Sequence, residues 1–263
     1  MLQPKKSLGQ NFLRDENVLQ KIIQAANLTS ADLVLEIGPG EGILTEALSQ
    51  KAGQVVAVEI DKNLAENLQK KFSDKKNITI INADILKINL SELFSTYKPK
   101  ASSYKLVANI PYYITSLIIR FFLENSFPPQ EMILMVQKEV AKRIVSKPGQ
   151  MSLLSVSVQY YAKPELLFYV DKKSFYPVPE VDSAIIKITS IKKNPKEEEI
   201  KNFFRIVRSG FSAKRKTLVN NLSNGLHLEK DAMEEKIKIA GLKSTARAQE
   251  LSIEDWKKLA ALF

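Results

Sequence analysis

The sequence predicts an α/β fold, with a mostly parallel seven-stranded sheet and a small all-α C-terminal domain. Apolar, strand-like runs alternate with helix-patterned segments up to residue 191, an order typical of parallel sheets covered on both faces. After the charged segment 192–201, which contains a proline, every pattern is helical. We therefore predict one domain over residues 1–191, which begins with an arm over 1–16, and a second domain over 192–263.

The predicted elements follow in chain order. The first is a helix over 17–26, whose apolar residues recur at helical spacing. Seven apolar runs predict strands at 33–38, 54–61, 78–84, 104–110, 131–137, 165–171 and 183–191. Helices between or after these strands are predicted at 43–50, 64–72, 116–125 and 139–147, and C-terminal helices at 199–211, 216–223, 230–241 and 252–263. The last two strands have little helix between them, so we expect a hairpin-type addition with one antiparallel strand.

Composition excludes several kinds of chemistry. Cysteine is absent and His227 is the single histidine, so we expect no disulfide, no thiolate or histidine metal site and no Ser-His triad. The longest apolar runs are far shorter than the roughly 20 residues that span a bilayer. No apolar core follows the N-terminal lysines, so a secretory signal is not predicted. We expect a cytoplasmic protein with no membrane contact, and a monomer, since no heptad pattern is present.

The chain carries a net charge of +10, which indicates a polyanionic partner. Residues 188–263 contain 16 basic and 10 acidic side chains, against 23 and 19 in the preceding 187 residues. More than half of the excess positive charge therefore lies in the C-terminal region.

A glycine-rich loop, "EIGPGEG" at 36–42, follows the first predicted strand and opens a helix. Glycines at Gly38 and Gly40 let a backbone approach a ligand closely. A dinucleotide-binding loop would have a third glycine where this chain has Ile43, and Glu36 and Glu41 would repel phosphates. The pattern favours a nucleoside ligand without phosphates, and a simple tight turn is the alternative.

The next two strands also end in acidic residues. Glu59 ends the second strand, where a carboxylate can accept both hydroxyls of a ribose, and Asp84 ends the third, where it can accept an adenine amino group. A solvated acid at a strand end is the ordinary alternative for each. Together the three strand ends suit an adenosine without phosphates, and they predict S-adenosylmethionine as the cofactor.

The fourth strand ends in "NIPY", at positions 109–112. The Asn109 side-chain oxygen and the Ile110 carbonyl could accept the two N–H bonds of a base amino group and hold its lone pair in line with a methyl donor. Pro111 fixes the backbone, and Tyr112 offers a face for base stacking. We predict a clamp for an amino-bearing base that is extruded or unpaired. A proline-aromatic turn packed on the sheet is the alternative.

A second stacking face is predicted at Phe175, in "KSFYPVPEVDS" at 173–183, where two prolines stiffen the loop. The segment "SGFSAKRKTLVNNL" at 209–222 fits a helical RNA-docking module. We expect its basic residues Lys214, Arg215 and Lys216 to contact phosphates. Arg205 and Arg208, three positions apart on the preceding helix, could extend this surface. A solvated basic helix end is the alternative. His227 and Trp256 are expected to be structural.

Together with "KKSLGQNFL" at 5–13, these motifs resemble the ribosomal RNA adenine dimethyltransferase family, most closely its bacterial small-subunit (16S) members, over almost the whole chain. The resemblance implies a Rossmann-like, S-adenosylmethionine-dependent methyltransferase domain and an RNA-binding helical domain. It implies that two adjacent adenosines in a hairpin loop near the 3′ end of 16S rRNA become N6,N6-dimethyladenosine, late in assembly of the small subunit or its precursor. The residues that it places around the cofactor are Gln10, Asn11, Leu13, Gly38, Gly40, Glu59, Ile60, Asp84, Ile85 and Asn109.

Three other functions remain open on the sequence. One is methylation of a 23S rRNA adenine, as in the antibiotic-resistance branch of the same superfamily. A second is a non-catalytic assembly protein that binds RNA, which the intact "NIPY" argues against. A nicotinamide oxidoreductase is the third, and Ile43 argues against it.

Overall fold

The computed structural model describes residues 5, 9–97, 103–192 and 197–263. The remaining parts of the predicted arm and linker, at 1–4, 6–8 and 193–196, lie outside the described residues. The chain divides into two compact units. The sheet unit is the described part of Met1–Ala141 with Lys163–Ile191, and the helical unit is Lys142–Ala162 with the described part of Lys192–Phe263.

The sheet unit contains the predicted seven-stranded sheet. Its strands are β2 (Leu33–Ile37), β3 (Gln54–Glu59), β4 (Ile78–Asn82), β5 (Lys105–Asn109), β6 (Glu131–Gln137), β7 (Lys163–Val170) and β9 (Ser183–Thr189). The strand order is β4-β3-β2-β5-β6-β9-β7, and β9 runs antiparallel to both of its neighbours. The prediction of a mostly parallel sheet with one antiparallel strand is therefore confirmed.

Burial explains why these segments form strands. Every residue of β2 is buried, and so is nearly every residue of β3, β5 and β6, because helices cover both faces of a parallel sheet. The edge strands β4 and β7 are only partly buried, as their outer positions require. Because the central strands are buried on both faces, their sequences are continuous apolar runs, and these runs made the strands predictable.

Short helices connect the strands of this unit. They are α1 (Glu16–Ala26), α2 (Ile43–Ser49), α3 (Lys62–Lys71), α4 (Leu90–Tyr97), α5 (Thr115–Leu123) and the start of α6 (Lys138–Ile144). Asp15 caps α1 by accepting the backbone N–H groups of Asn17 and Val18. Helix α4 was not predicted from the sequence. Among the described residues, no helix is long and apolar enough to cross a bilayer.

The N-terminal arm joins the sheet unit through a small second sheet. Strand β1 (Phe12–Leu13) pairs antiparallel with β8 (Phe175–Tyr176), and Leu13 lies opposite Phe175. The backbone N–H of Arg14 donates to the Ser174 carbonyl at 2.8 Å, next to this pair. Phe12 and Leu13 of the arm are therefore part of the folded unit.

The helical unit comprises α7 (Leu153–Tyr161), α8 (Glu197–Gly210), α9 (Leu218–Leu226), α10 (Lys230–Ile239) and α11 (Ile253–Ala260). Tyr160 and Tyr161 of α7 pack against Phe203 and Phe204 of α8, with ring centroids 4.2 to 5.9 Å apart. This aromatic cluster groups residues 142–162 with the C-terminal helices, whereas the sequence placed the whole of 1–191 in one domain. The predicted boundary at 191 stays a prediction.

Trp256 has the structural position expected of it. It is fully buried in the helical unit and lies against Gly210, where an added Cβ would come within 2.4 Å of the indole ring. His227 caps the C-terminal end of α9 in the left-handed conformation, and its backbone N–H donates to the Ser223 carbonyl.

Candidate active site

The carboxyl ends of four adjacent parallel strands, β4, β3, β2 and β5, form one wall of a cleft that the arm closes on another side. Open α/β sheets bind ligands at this edge. We call it the strand-end cleft. Twelve of the residues predicted from the sequence line it, namely Gln10, Asn11, Leu13, Gly38, Gly40, Glu59, Ile60, Asp84, Ile85, Asn109, Pro111 and Tyr112.

The glycine loop leaves room for a ligand. Gly38 has a φ of 64°, and a Cβ added there would meet no atom within 4 Å, so the space above this backbone is open to the cleft. Gly40 has a φ of 59°, and an added Cβ would lie 2.9 Å from the Phe12 ring. One glycine therefore makes space for the ligand, and the other lets the arm approach the loop.

Glu59 is held in a fixed orientation at the end of β3. Its Oε2 accepts the Gly40 N–H at 3.2 Å and its Oε1 accepts the Asp61 N–H at 2.9 Å. Burial raises the pKa of this carboxyl, and the two backbone hydrogen bonds oppose that shift. Each oxygen keeps a lone pair for a ligand hydroxyl. Ile60, beside it, is 53% exposed and offers an apolar surface to a ring.

Glu36 is a feature of the cleft whose role the sequence did not reveal. The residue is 1% exposed, and burial raises its pKa to about 8; the nearby Thr45 side chain opposes this shift and the Glu59 charge adds to it. Its Oε2 has no hydrogen-bond partner among the described residues. A buried carboxylate is costly unless a positive charge comes close to it, so the pKa of this carboxyl favours its neutral form until such a charge is present. The cleft therefore fits a cationic nucleoside ligand such as S-adenosylmethionine.

Asp84 is partly occupied by its own turn. Its Oδ1 accepts the Leu86 N–H at 3.1 Å, and its Oδ2 lies 3.7 Å from the Lys87 ammonium. The second lone pairs of both oxygens are available for an N–H donor. The prediction that Asp84 accepts from an adenine amino group is compatible with this arrangement.

Polar contacts fix the arm against the cleft. Lys5 forms an ion pair with Asp61 at 2.8 Å, and Gln10 donates to the same carboxylate at 3.3 Å. Arg14 pairs with Glu41 of the glycine loop at 2.6 Å. The arm residues Gln10, Asn11 and Leu13 reach the cleft because of these contacts, which join segments far apart in the sequence.

The Asn109 side chain is oriented by the arm. Its Nδ2 donates to the Asn11 carbonyl at 3.2 Å, so its Oδ1 is left as an acceptor, to which no described residue donates. The neighbouring Ile110 N–H donates to the Met135 carbonyl of β6 at 3.2 Å, which fixes the peptide after Asn109. The amide therefore presents an acceptor to the cleft, as the predicted clamp requires.

Tyr112 is anchored through its hydroxyl. Its Oη lies 2.6 Å from Oγ of Ser183, a fully buried residue that begins β9. Burial raises the pKa of the Tyr112 phenol, and the Ser183 hydrogen bond opposes the shift. The ring is therefore a neutral phenol held in one place. This contact could not be predicted from the sequence, because the two residues are 71 positions apart.

Phe175 does not lie where the sequence analysis placed it. It is 2% exposed, it pairs with Leu13 across the β1–β8 ladder and it belongs to the apolar core beside α1. It does not line the strand-end cleft. Its ring therefore presents no face for stacking in this structure. The pairing with the arm, which requires a contact across more than 160 residues, could not be derived from the local sequence.

The five predicted RNA-binding residues lie in the helical unit and are exposed. Arg205 and Arg208 are on α8, and three more precede α9. The segment between these helices is held by Asn221, whose buried amide donates to the carbonyls of Gly210 at 2.6 Å and Ala213 at 3.0 Å. The three basic residues of this segment are Lys214, Arg215 and Lys216.

Within the described part of the chain, no cluster of acidic or histidine side chains could hold a metal ion.

A family model described as "Ribosomal RNA adenine dimethylase" matches residues 1–263. The chain is 47% identical over 262 residues to ribosomal RNA small subunit methyltransferase A of Dehalococcoides mccartyi, a match that covers 98% of this chain and 88% of that protein. It is 44% identical over 262 residues to the protein of the same name from Lachnoclostridium phytofermentans, covering 97% and 90%.

Two solved structures share the fold over nearly their whole length. The 23S rRNA methyltransferase ErmE is 30% identical, with a TM-score of 0.75, and the match covers 95% of this chain and 98% of that one. A dimethyladenosine transferase from Plasmodium falciparum is 27% identical, with a TM-score of 0.78, covering 94% and 95%. The fold is thus the Rossmann-like methyltransferase fold that the sequence predicted.

Proposed function

Since the chain belongs to the ribosomal RNA adenine dimethylase family, and is accordingly an S-adenosylmethionine-dependent rRNA adenine N6,N6-dimethyltransferase, we propose that its substrate is 16S rRNA of the small ribosomal subunit. Its targets would be two adjacent adenosines in a hairpin loop near the 3′ end, methylated late in assembly of the subunit or its precursor. The relatives named as small-subunit enzymes support this substrate. We further propose that the protein acts as a cytoplasmic monomer.

The observation that carries the catalytic proposal is the Asn109 amide in the cleft lining, whose nitrogen donates to the Asn11 carbonyl and whose oxygen receives no hydrogen bond from the described residues. The lone pair of an adenine amino group is delocalised into the ring, so the nitrogen is a poor nucleophile. Asn109 Oδ1 and the Ile110 carbonyl accept its two N–H bonds and hold the nitrogen in line, and Tyr112 stacks on the base. S-adenosylmethionine, when bound, supplies an activated methyl group on a sulfonium.

Methyl transfer then requires little further chemistry from the protein. Asn109 and the Ile110 carbonyl would hold the amino nitrogen for attack, and the bound cofactor would supply the methyl group and keep the electron pair of the carbon–sulfur bond that breaks. The nitrogen becomes positively charged and releases one of its protons to solvent. After the first transfer one N–H remains, and one of the two acceptors suffices to hold it for the second. No strong general base is needed.

The cofactor contacts follow from the cleft. We propose that Glu59 accepts the ribose hydroxyls, Asp84 accepts from the adenine amino group, and Ile60 packs on the adenine ring. Glu36 faces positive charge on the ligand. The exposed basic residues of the helical unit, three of which lie at 214–216, bind RNA phosphates.

The test is transfer of labelled methyl from S-adenosylmethionine to 30S subunits that lack the modification, followed by nuclease digestion and nucleoside analysis. We expect dimethyladenosine in a 3′-terminal fragment of 16S rRNA. Likeness to ErmE makes 23S rRNA the second candidate substrate. Transfer to 23S rRNA, with none to 30S subunits, would assign the protein to that activity. An absence of transfer to either RNA, with cofactor still bound, would favour a non-catalytic assembly role.

A further inference from the structure

Tyr113, directly after the tyrosine of the base site, is in a different environment from its neighbour. It lines the strand-end cleft together with Asn109, Pro111 and Tyr112. Its side chain is nevertheless 60% exposed, whereas the Tyr112 hydroxyl is bonded to buried Ser183. The two adjacent rings therefore do different things: one is anchored in the wall of the cleft, and the other is open to solvent at its rim.

The arm supports the Tyr113 ring from one side. Gly9 has a φ of 62°, and a Cβ added there would lie 3.4 Å from Cδ1 and 3.5 Å from Cε1 of Tyr113. The same position is 3.9 Å from the Pro111 side chain. One edge of the ring thus faces the arm at Gly9, with no space for a side chain between them beyond van der Waals contact, and Pro111 lies on the same side. The arm limits the ring on this side, and most of the rest of it is uncovered.

An exposed, oriented aromatic ring beside a base-binding cleft suits a second base. When one nucleotide is extruded into a protein pocket, its neighbour in the strand loses a stacking partner. Aromatic side chains replace such partners for any base, since every base has a π face. Single-stranded loops are recognised largely by this kind of contact.

We propose that Tyr113 is a stacking platform for the nucleotide adjacent to the adenosine held in the cleft. This inference rests on the proposed function and adds a specificity-determining residue to it. If the two target adenosines are neighbours, the platform holds the second target while the first is methylated. The ligand of this site is a nucleobase within single-stranded RNA. Tyr113 contributes the face of its ring to this base, and its hydroxyl makes no hydrogen bond to it.

The experiment compares full-length Tyr113→Ala and Tyr113→Phe with the wild type on 30S subunits that lack the modification. Tyr169→Ala is the matched control, because Tyr169 is another exposed tyrosine of the sheet unit, 52% exposed, that does not line the cleft. The measurements are kcat/KM for the RNA substrate, Kd for S-adenosylmethionine, and the yield of dimethyladenosine at each target position.

We expect Tyr113→Ala to lower kcat/KM by about five- to 150-fold, the range for loss of one base–aromatic stack, with the cofactor Kd unchanged. Tyr113→Phe should restore kcat/KM to within about twofold, since the ring face is kept. Tyr169→Ala should behave as the wild type. In Tyr113→Ala, the two target positions should also be modified less evenly, because the second adenosine is no longer retained.

Three results would overturn the platform. The first is a wild-type kcat/KM in Tyr113→Ala. The second is an equal loss of kcat/KM in the alanine and phenylalanine variants, which would assign the role to the hydroxyl. The third is a rise in cofactor Kd as large as the loss of kcat/KM, which would show that the ring supports the arm and the cofactor instead of a base. Failure of the proposed substrate is separate, because it appears in the wild type. If the wild type methylates 23S rRNA instead, the same variants are compared on that RNA. A wild type inactive on both RNAs would overturn both proposals.

Discussion

Replacing the buried carboxyl of Glu36 by an amide should change how the stability of the cofactor-free protein depends on pH. Burial raises the pKa of Glu36 from its ordinary 4.5 to about 8. An acid with a raised pKa in the folded state stays protonated there while the unfolded chain ionises, so unfolding releases a proton. Its contribution to stability is complete below pH 4.5 and is lost as pH rises toward 8.

The size of the effect follows from the two pKa values. For a shift from 4.5 to about 8, wild-type protein loses about 2 to 3 kcal/mol of unfolding free energy between pH 5 and pH 7 through this group alone. Glu36→Gln has no such group, and the cost of its buried amide is independent of pH. The variant should therefore gain stability relative to the wild type as pH increases.

Urea denaturation of both proteins at pH 5, 6, 7 and 8, without cofactor, provides the measurement. The quantity of interest is the difference in unfolding free energy between wild type and variant at each pH. Glu59, whose pKa burial also raises, is present in both proteins, so its titration largely cancels in that difference. A difference that stays constant between pH 5 and pH 7 would refute the claim that Glu36 is protonated in the cofactor-free cleft at neutral pH.

The same group predicts how cofactor binding responds to the substitution. A cationic ligand beside Glu36 lowers the pKa of the carboxyl, so binding near pH 7 should release protons from the wild type and fewer from Glu36→Gln. Calorimetry in two buffers of different ionisation enthalpy measures this release. The variant should bind S-adenosylmethionine about ten- to hundredfold more weakly, as expected for loss of a charged hydrogen-bond partner. Equal proton release by both proteins would show that another group titrates.

Three further predictions concern the base site and the basic segment. Asn109→Ala should keep the cofactor Kd within a fewfold of the wild-type value and lower kcat by about 10²–10³, as expected for loss of one preorganised polar contact. Near-wild-type turnover would show that Asn109 is not part of the clamp. Ser183→Ala should lower kcat/KM about two- to tenfold by freeing the Tyr112 hydroxyl, and adding Tyr112→Phe should cost nothing more; additive losses would contradict the coupling. Replacing all three residues of 214–216 by glutamine should reduce the slope of log K for RNA binding against log salt concentration by about two to three. The cofactor Kd is the control and should not change. An unchanged slope would show that the RNA phosphates bind elsewhere.

The fold was largely predictable because its central strands are buried on both faces. Continuous apolar runs identify such strands, and glycine or acidic residues mark their ends. Helix α7 was missed because its serine-rich sequence, residues 153–161, has little helical amphipathicity; the helix begins instead at a capping box between Ser152 and Ser155. The two-residue strands β1 and β8 carry no local signal at all, since each forms only by pairing with the other.

The candidate site divides in the same way. Gly38, Glu59, Asp84 and Asn109 could be placed together, because neighbouring parallel strands bring their carboxyl ends to one edge. The position of Phe175 depends on its partner in the arm, and the state of Glu36 depends on how completely the fold buries it. Neither the pairing of Phe175 nor the burial of Glu36 can be predicted from the residues next to it in the sequence. Long-range pairing and burial are therefore what the sequence analysis could not supply.

The distribution of charge accounts for ligand choice in a protein that is strongly basic as a whole. The described residues that line the strand-end cleft include four acidic side chains, Glu36, Glu41, Glu59 and Asp84, and no lysine or arginine. Cations lie just outside this lining, where Arg14 pairs with Glu41 and Lys87 lies near Asp84. The lining itself is thus acidic in a chain with a net charge of +10. The cleft repels phosphates, which excludes dinucleotides, and it favours a cationic nucleoside. A ligand that has given up its sulfonium charge loses part of this attraction. We therefore expect electrostatic attraction in the cleft to favour the methyl donor over the spent product, and we expect the exposed basic residues of the helical unit to bind the phosphates.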